Sequence, residues 1–81
     1  MKEVYFEGKP IIIMVHAIKR ARQREIAYPD RIFSVLKSGI VKRFGKHGIK
    51  FISRSKKRES VICVGEDIGY AIIIKTIERG N

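Results

Sequence analysis

Acidic residues are scarce in this chain, and that scarcity excludes more chemistry than any other feature. Eight Asp and Glu stand against eighteen Lys and Arg in 81 residues, so the paired carboxylates of glycoside chemistry are not evident. Histidine is rarer still. His16 and His47 lie 31 positions apart, and with one cysteine they offer no ligand spacing for a metal. That cysteine, Cys63, rules out an intramolecular disulfide and fits a reducing cytoplasm. It sits within Val61-Ile62-Cys63-Val64 and reads as a small buried hydrophobe. Neither the G-x-x-x-x-G-K-[ST] nor the G-x-G-x-x-G phosphate loop occurs. Long apolar runs are missing too: the longest, Pro10 to Val15, is far too short to span a bilayer. The polar residues before it and the basic stretch after it do not make a signal peptide. The expectation is a cytoplasmic protein with no metal, no cofactor and no membrane.

What the chain does have is aliphatic bulk and positive charge. Apolar residues make up 44% of it, enough for one packed domain over residues 1–81 with no room for a second core. Isoleucine dominates, in the runs Ile11-Ile12-Ile13 and Ile72-Ile73-Ile74. The net charge is +10 and the pI is near 10.2, a balance that draws polyanions through counterion release. From Val41 to Arg58 there are eight basic residues (Lys42, Arg43, Lys46, Lys50, Arg54, Lys56, Lys57 and Arg58) and no acidic one.

Periodicity divides the chain into short elements. Glu3 to Phe6 and Ile11 to Val15 are strand-like pieces around a turn at Glu7-Gly8-Lys9-Pro10. His16 to Glu25 is rich in helix formers, with Ile18 and Ala21 as a narrow apolar stripe and His16, Arg20, Gln23 and Arg24 opposite. Tyr28-Pro29-Asp30 starts a second helix, whose buried face is Ile32, Val35 and Leu36 and whose end is Gly39. Four strands follow: Ile40 to Phe44, Gly48 to Ser53, Ser60 to Glu66, and Tyr70 to Ile77. The last is apolar on both parities, which suits a central position. The order β(β)ααββββ predicts an α+β fold with two N-terminal helices packed on one face of a four- to five-stranded antiparallel sheet.

An acid-poor, base-rich surface matches the needs of RNA cleavage without metal, because RNA carries its own nucleophile in the 2′-hydroxyl. A base must take that proton, cations must neutralise the phosphorus centre, and an acid must protonate the leaving oxygen. Arginine binds phosphate through its planar fork, and histidine can carry the proton. His16, Arg20 and Arg24 put both types on one helix face, although the usual meaning of such a stripe is a solvated surface. On the sheet, alternation along Ile49-Lys50-Phe51-Ile52-Ser53-Arg54 puts Lys50 and Arg54 on one face, and Arg43 joins them if the register allows. Edge-strand protection is the competing use of such lysines.

The stretch His16-Ala17-Ile18-Lys19-Arg20-Ala21-Arg22-Gln23-Arg24-Glu25-Ile26 resembles the HA-x-x-R-x-x-x-R-x-I opening of a family of small prokaryotic domains. That family is placed with BrnT and RelE among the toxins of toxin–antitoxin systems. The likeness runs from about Val15 to Glu78. It implies a RelE-like fold, cleavage of free or ribosome-bound mRNA without metal, and neutralisation by an acidic antitoxin protein. By motif it carries over His16, Arg20 and Arg24.

Together these readings nominate His16, Lys50 and Arg54 for catalysis. Arg20, Arg24, Lys42, Arg43, Lys56, Lys57 and Arg58 are the phosphate ligands, and His47 in a hairpin turn is a rival proton carrier. Phe44, Phe51 and Tyr70 could stack on bases, but at strand positions all three read first as core, and only Tyr70, near a turn, has some chance of exposure. The leading expectation is a toxin-type endoribonuclease; a non-catalytic basic nucleic-acid-binding module, or a small protein-interaction domain, is the alternative. The helix and sheet clusters face opposite ways, so they form one site only if His16 sits at the sheet's rim.

Overall fold

The computed structural model of the chain describes residues 4–26, 28–54 and 60–80. Tyr5–Phe6 (β1) and Lys9–Ile13 (β2) pair as an antiparallel hairpin. Its two turn residues, Glu7 and Gly8, both have left-handed backbone, with φ of 52° and 78°, the turn that matches the natural twist of paired strands. Helices Val15–Gln23 (α1) and Asp30–Ser38 (α2) follow. The chain then runs through Ile40–Phe44 (β3), Gly48–Ile52 (β4), Ser60–Asp67 (β5) and Ile72–Gly80 (β6).

The sheet corrects the expected fold. It has six strands in the order β1-β2-β6-β5-β4-β3, and it is mixed, because β2 runs parallel to β6. The helices do not open the chain either; they come after the first hairpin. The physical reason lies in the two isoleucine runs. Ile11, Ile12 and Ile13 pair one-to-one with Ile72, Ile73 and Ile74, so the runs lie side by side, and Ile72 and Ile74 are wholly buried. A strand apolar on both parities suits the interior of such a sheet, and β6 takes that place between β2 and β5.

Both helices sit over one face. α2 buries Ile32, Val35 and Leu36, as its spacing predicts. α1 buries Ala17 and Ala21 rather than Ile18; alanine lets the helix lie close to β6. At the end of α2, Gly39 is required by close approach. A Cβ there would stand 2.5 Å from the Val35 carbonyl oxygen and 2.7 Å from that of Ile52.

The sheet also curls. β1 and β3 are opposite edges, yet Arg43 of β3 lies over the Phe6 ring of β1 at 5.9 Å, and that ring stands edge-on to Phe51 of β4 with centroids 5.4 Å apart. The curl wraps the edges around one core that includes Ile49, Phe51, Cys63, Ile74 and Ile77. Burial pushes the Cys63 thiol pKa up to about 12. No helix among the described residues is long and apolar enough to cross a membrane.

Candidate nucleic-acid interface

The face of the sheet away from the helices follows from register. Ile49 and Phe51 are fully buried under the helices, so Gly48, Lys50 and Ile52 point the other way. Their partners on β3, namely Phe44, Lys42 and Ile40, share that face, as do Ile62, Val64 and Glu66 on β5. Lys42 and Lys50 are therefore directly opposite one another across two antiparallel strands. Neither makes an ion pair with a carboxylate among the described residues.

Phe44 lies beside them. It is 45% exposed, and its ring covers Gly48, where a Cβ would meet ring carbons at 2.4 and 2.6 Å. The Lys50 ammonium stands 5.8 Å from the same ring's centroid, a distance at which the ring quadrupole attracts a cation. Among the described residues two carboxylates border the face, and both are occupied. Glu66 binds Lys75, and that hydrogen bond holds its carboxyl below the ordinary range. Glu78 pairs with Arg24 at 3.5 Å. What the face leaves free is cationic, aromatic and aliphatic.

The other nominated residues scatter. Arg43 is opposite Ile49 and so belongs to the inner face, where the curl brings it over the Phe6 ring at 5.9 Å. Its guanidinium donates to Asp67 at 2.9 Å and to Glu7 at 3.0 Å. It is tied to carboxylates and does not join Lys50. Arg54 leaves the open face as well. Beyond Ile52, Ser53 is buried and its Oγ accepts from the Val61 amide at 2.9 Å; Arg54 Nε then donates to the Ser38 carbonyl at 2.7 Å. A cation there suits the unpaired carbonyls at the end of α2.

His16 is exposed at the head of α1, and its side chain makes no hydrogen bond among the described residues. Lys50 lies on β4, separated from α1's neighbour β6 by β5. Arg20 is half-buried, with an Nε that has no hydrogen-bond partner. Lys56, Lys57 and Arg58 lie outside the described residues. Phe51 is core and cannot stack on a base, whereas Tyr70 is 77% exposed in the β5–β6 turn.

At one end of the sheet the three hairpin turns meet. The Lys9 ammonium donates to Asp67 at 2.8 and 3.1 Å, and Arg43 bridges Asp67 to Glu7. Lys9 first, then Arg43 and the Gly69 amide, hold the Asp67 carboxyl far below its usual range. Sequence reasoning missed Lys9, Glu7 and Asp67, because only the curl brings them together. It also passed over Phe44 in favour of Tyr70; the glycine facing Phe44 across the turn was the available signal.

No family model, curated protein or solved structure matches the chain. None of these comparisons links the chain to the BrnT and RelE toxins, and function has to be read from the site itself.

Proposed function

We propose that the protein binds single-stranded nucleic acid, RNA in a cytoplasmic setting, along the open face of its sheet and without cutting it. The observation that carries this reading is the Lys42–Lys50 pair. Like charges directly opposite on paired strands destabilise a sheet, and a phosphate bound between them removes that repulsion. Phe44, exposed and steadied on Gly48, supplies a stacking platform of the kind that holds unpaired bases irrespective of sequence. The aliphatic side chains of Ile40, Ile52 and Val64 offer the sugars and bases an apolar surround.

The geometry gives less support to a toxin-type endoribonuclease neutralised by an acidic antitoxin. Its three nominated residues occupy three places: His16 heads a helix, Lys50 lies on the open face, and Arg54 is bonded to the end of α2. Proton transfer needs donor and acceptor within hydrogen-bond reach.

Titration of a labelled single-stranded RNA at several salt concentrations tests the proposal. Each phosphate contact to a single strand contributes about 0.7 to the slope of log K against log salt. The Lys42→Ala/Lys50→Ala double variant, which loses the one phosphate held between the two lysines, is expected to lose about 0.7 of that slope. Phe44→Ala weakens binding by about 1–3 kcal/mol. An unchanged slope in the double variant would overturn the reading. RNA incubated with the protein in EDTA stays intact.

A further inference from the structure

Between the β3–β4 and β5–β6 turns lies a cavity of about 550 Å³, lined in part by Arg43, Lys46, His47, Gly48, Glu66 and Asp67. That volume lies within the range of small-molecule sites, about 300–1,000 Å³. The Asp67 amide donates to the His47 carbonyl at 2.8 Å, which ties the two turns together. We infer that this cavity receives the terminal phosphomonoester of the nucleic acid strand held on the open face, an inference that rests on the proposed function.

Three observations support it. First, the cavity continues the open face. Gly48 and Glu66 line it, and both are also in the row that carries Phe44. A strand stacked on Phe44 has the cavity beside it.

Second, its carboxylates are already neutralised. Asp67 takes Lys9, Arg43 and the Gly69 amide, and Glu66 takes Lys75. Lys46 makes no ion pair among the described residues. His47 is near enough to Glu66 to help keep that carboxyl low. Around the cavity the cations Lys9, Arg43, Lys46 and Lys75 outnumber the carboxylates Glu7, Glu66 and Asp67, before His47 is counted. Arg43 also has donors to spare, since two of the five N–H groups of a guanidinium are engaged with Asp67 and Glu7.

Third, one side is closed by ion pairs. Arg43 and Asp67 are bonded to each other and onward to Glu7 and Lys9, so a strand threading through would have to break them, whereas a strand end would not. A terminal phosphomonoester carries about −1.5 to −2 at neutral pH, against a single charge for an internal diester. The end of a strand is therefore the part that gains most from the cationic excess.

The test compares one short single-stranded oligonucleotide in three forms: 5′-phosphorylated, 3′-phosphorylated, and hydroxyl at both ends. Affinities are measured for the native protein and for the Lys46→Ala/His47→Gln variant, whose circular dichroism is checked first. Both positions are exposed in a turn, so folding is expected to survive. The native protein is expected to prefer one phosphorylated form about tenfold, equivalent to about 1.4 kcal/mol. The variant is expected to bind all three alike, at the native protein's affinity for the hydroxyl form. Equal native affinities for the three forms would overturn the inference while leaving the sheet-face reading intact. Preference that survives in the variant would also overturn it, and failure of all three to bind would overturn both readings.

Discussion

Lys42 and Lys50 face each other across the β3–β4 ladder, on the side of the sheet that no helix covers among the described residues. The same two strands turn Arg43 inward, opposite Ile49, where Asp67 and Glu7 hold it. One step along β3 thus separates a cation that serves the fold from one that faces solvent. A binding surface here is defined by which cations the structure leaves unpaired, rather than by how many the sequence contains.

Reversing one of the facing charges separates stability from binding. Lys50→Glu puts a carboxylate opposite Lys42, turning a repulsive cross-strand pair into an attractive one, a change worth about 0.2–1 kcal/mol. The variant is expected to melt slightly higher than the native protein while losing affinity for single-stranded RNA. Thermal melting and fluorescence anisotropy on the same samples check both halves.

Gly48→Ala tests the platform beneath Phe44. The added Cβ meets the Phe44 ring at 2.4 Å and its carbonyl oxygen at 2.6 Å, so both ring and backbone must shift. Overpacking of this kind costs about 1–3 kcal/mol. Stability in urea is expected to fall by that amount. RNA affinity is expected to fall with it, even at temperatures where the variant remains folded.

Asp67 sets an acid dependence whose sign is fixed. Its carboxyl is depressed in the folded protein by Lys9, Arg43 and the Gly69 amide. Such a group adds stability above its unfolded pKa of about 3.9, and the contribution drains away as pH falls toward the folded value. Asp67→Asn should therefore lower the melting temperature at neutral pH. The gap between variant and native protein should narrow below about pH 4. A gap of constant width down to strong acid would show that Asp67 does not tie the turns as described.

How much of this was legible in the chain depended on whether the deciding contact was local. The buried face of α2 was readable because Ile32, Val35 and Leu36 repeat at helical spacing, and the β3–β4 hairpin because glycines bracket its turn. The parallel pairing of Ile11–Ile13 with Ile72–Ile74 joins the two ends of the described chain, and nothing local announces it. The inward turn of Arg43 follows from the β3–β4 register, but the partners that hold it do not: the curl brings Glu7 to Arg43, and the end of α2 draws Arg54 away. Alternation did place Lys50 on the open face. It could not show that Arg54 would leave it.

Backbone amide shifts, followed by NMR as single-stranded RNA is added, test the central claim most directly. The account predicts that the largest changes fall on the open-face residues Lys42, Phe44, Gly48, Lys50 and Val64, with His16, Arg20 and Arg24 of α1 little affected. Changes concentrated on His16, Arg20 and Arg24, with Lys42 and Lys50 unmoved, would contradict it.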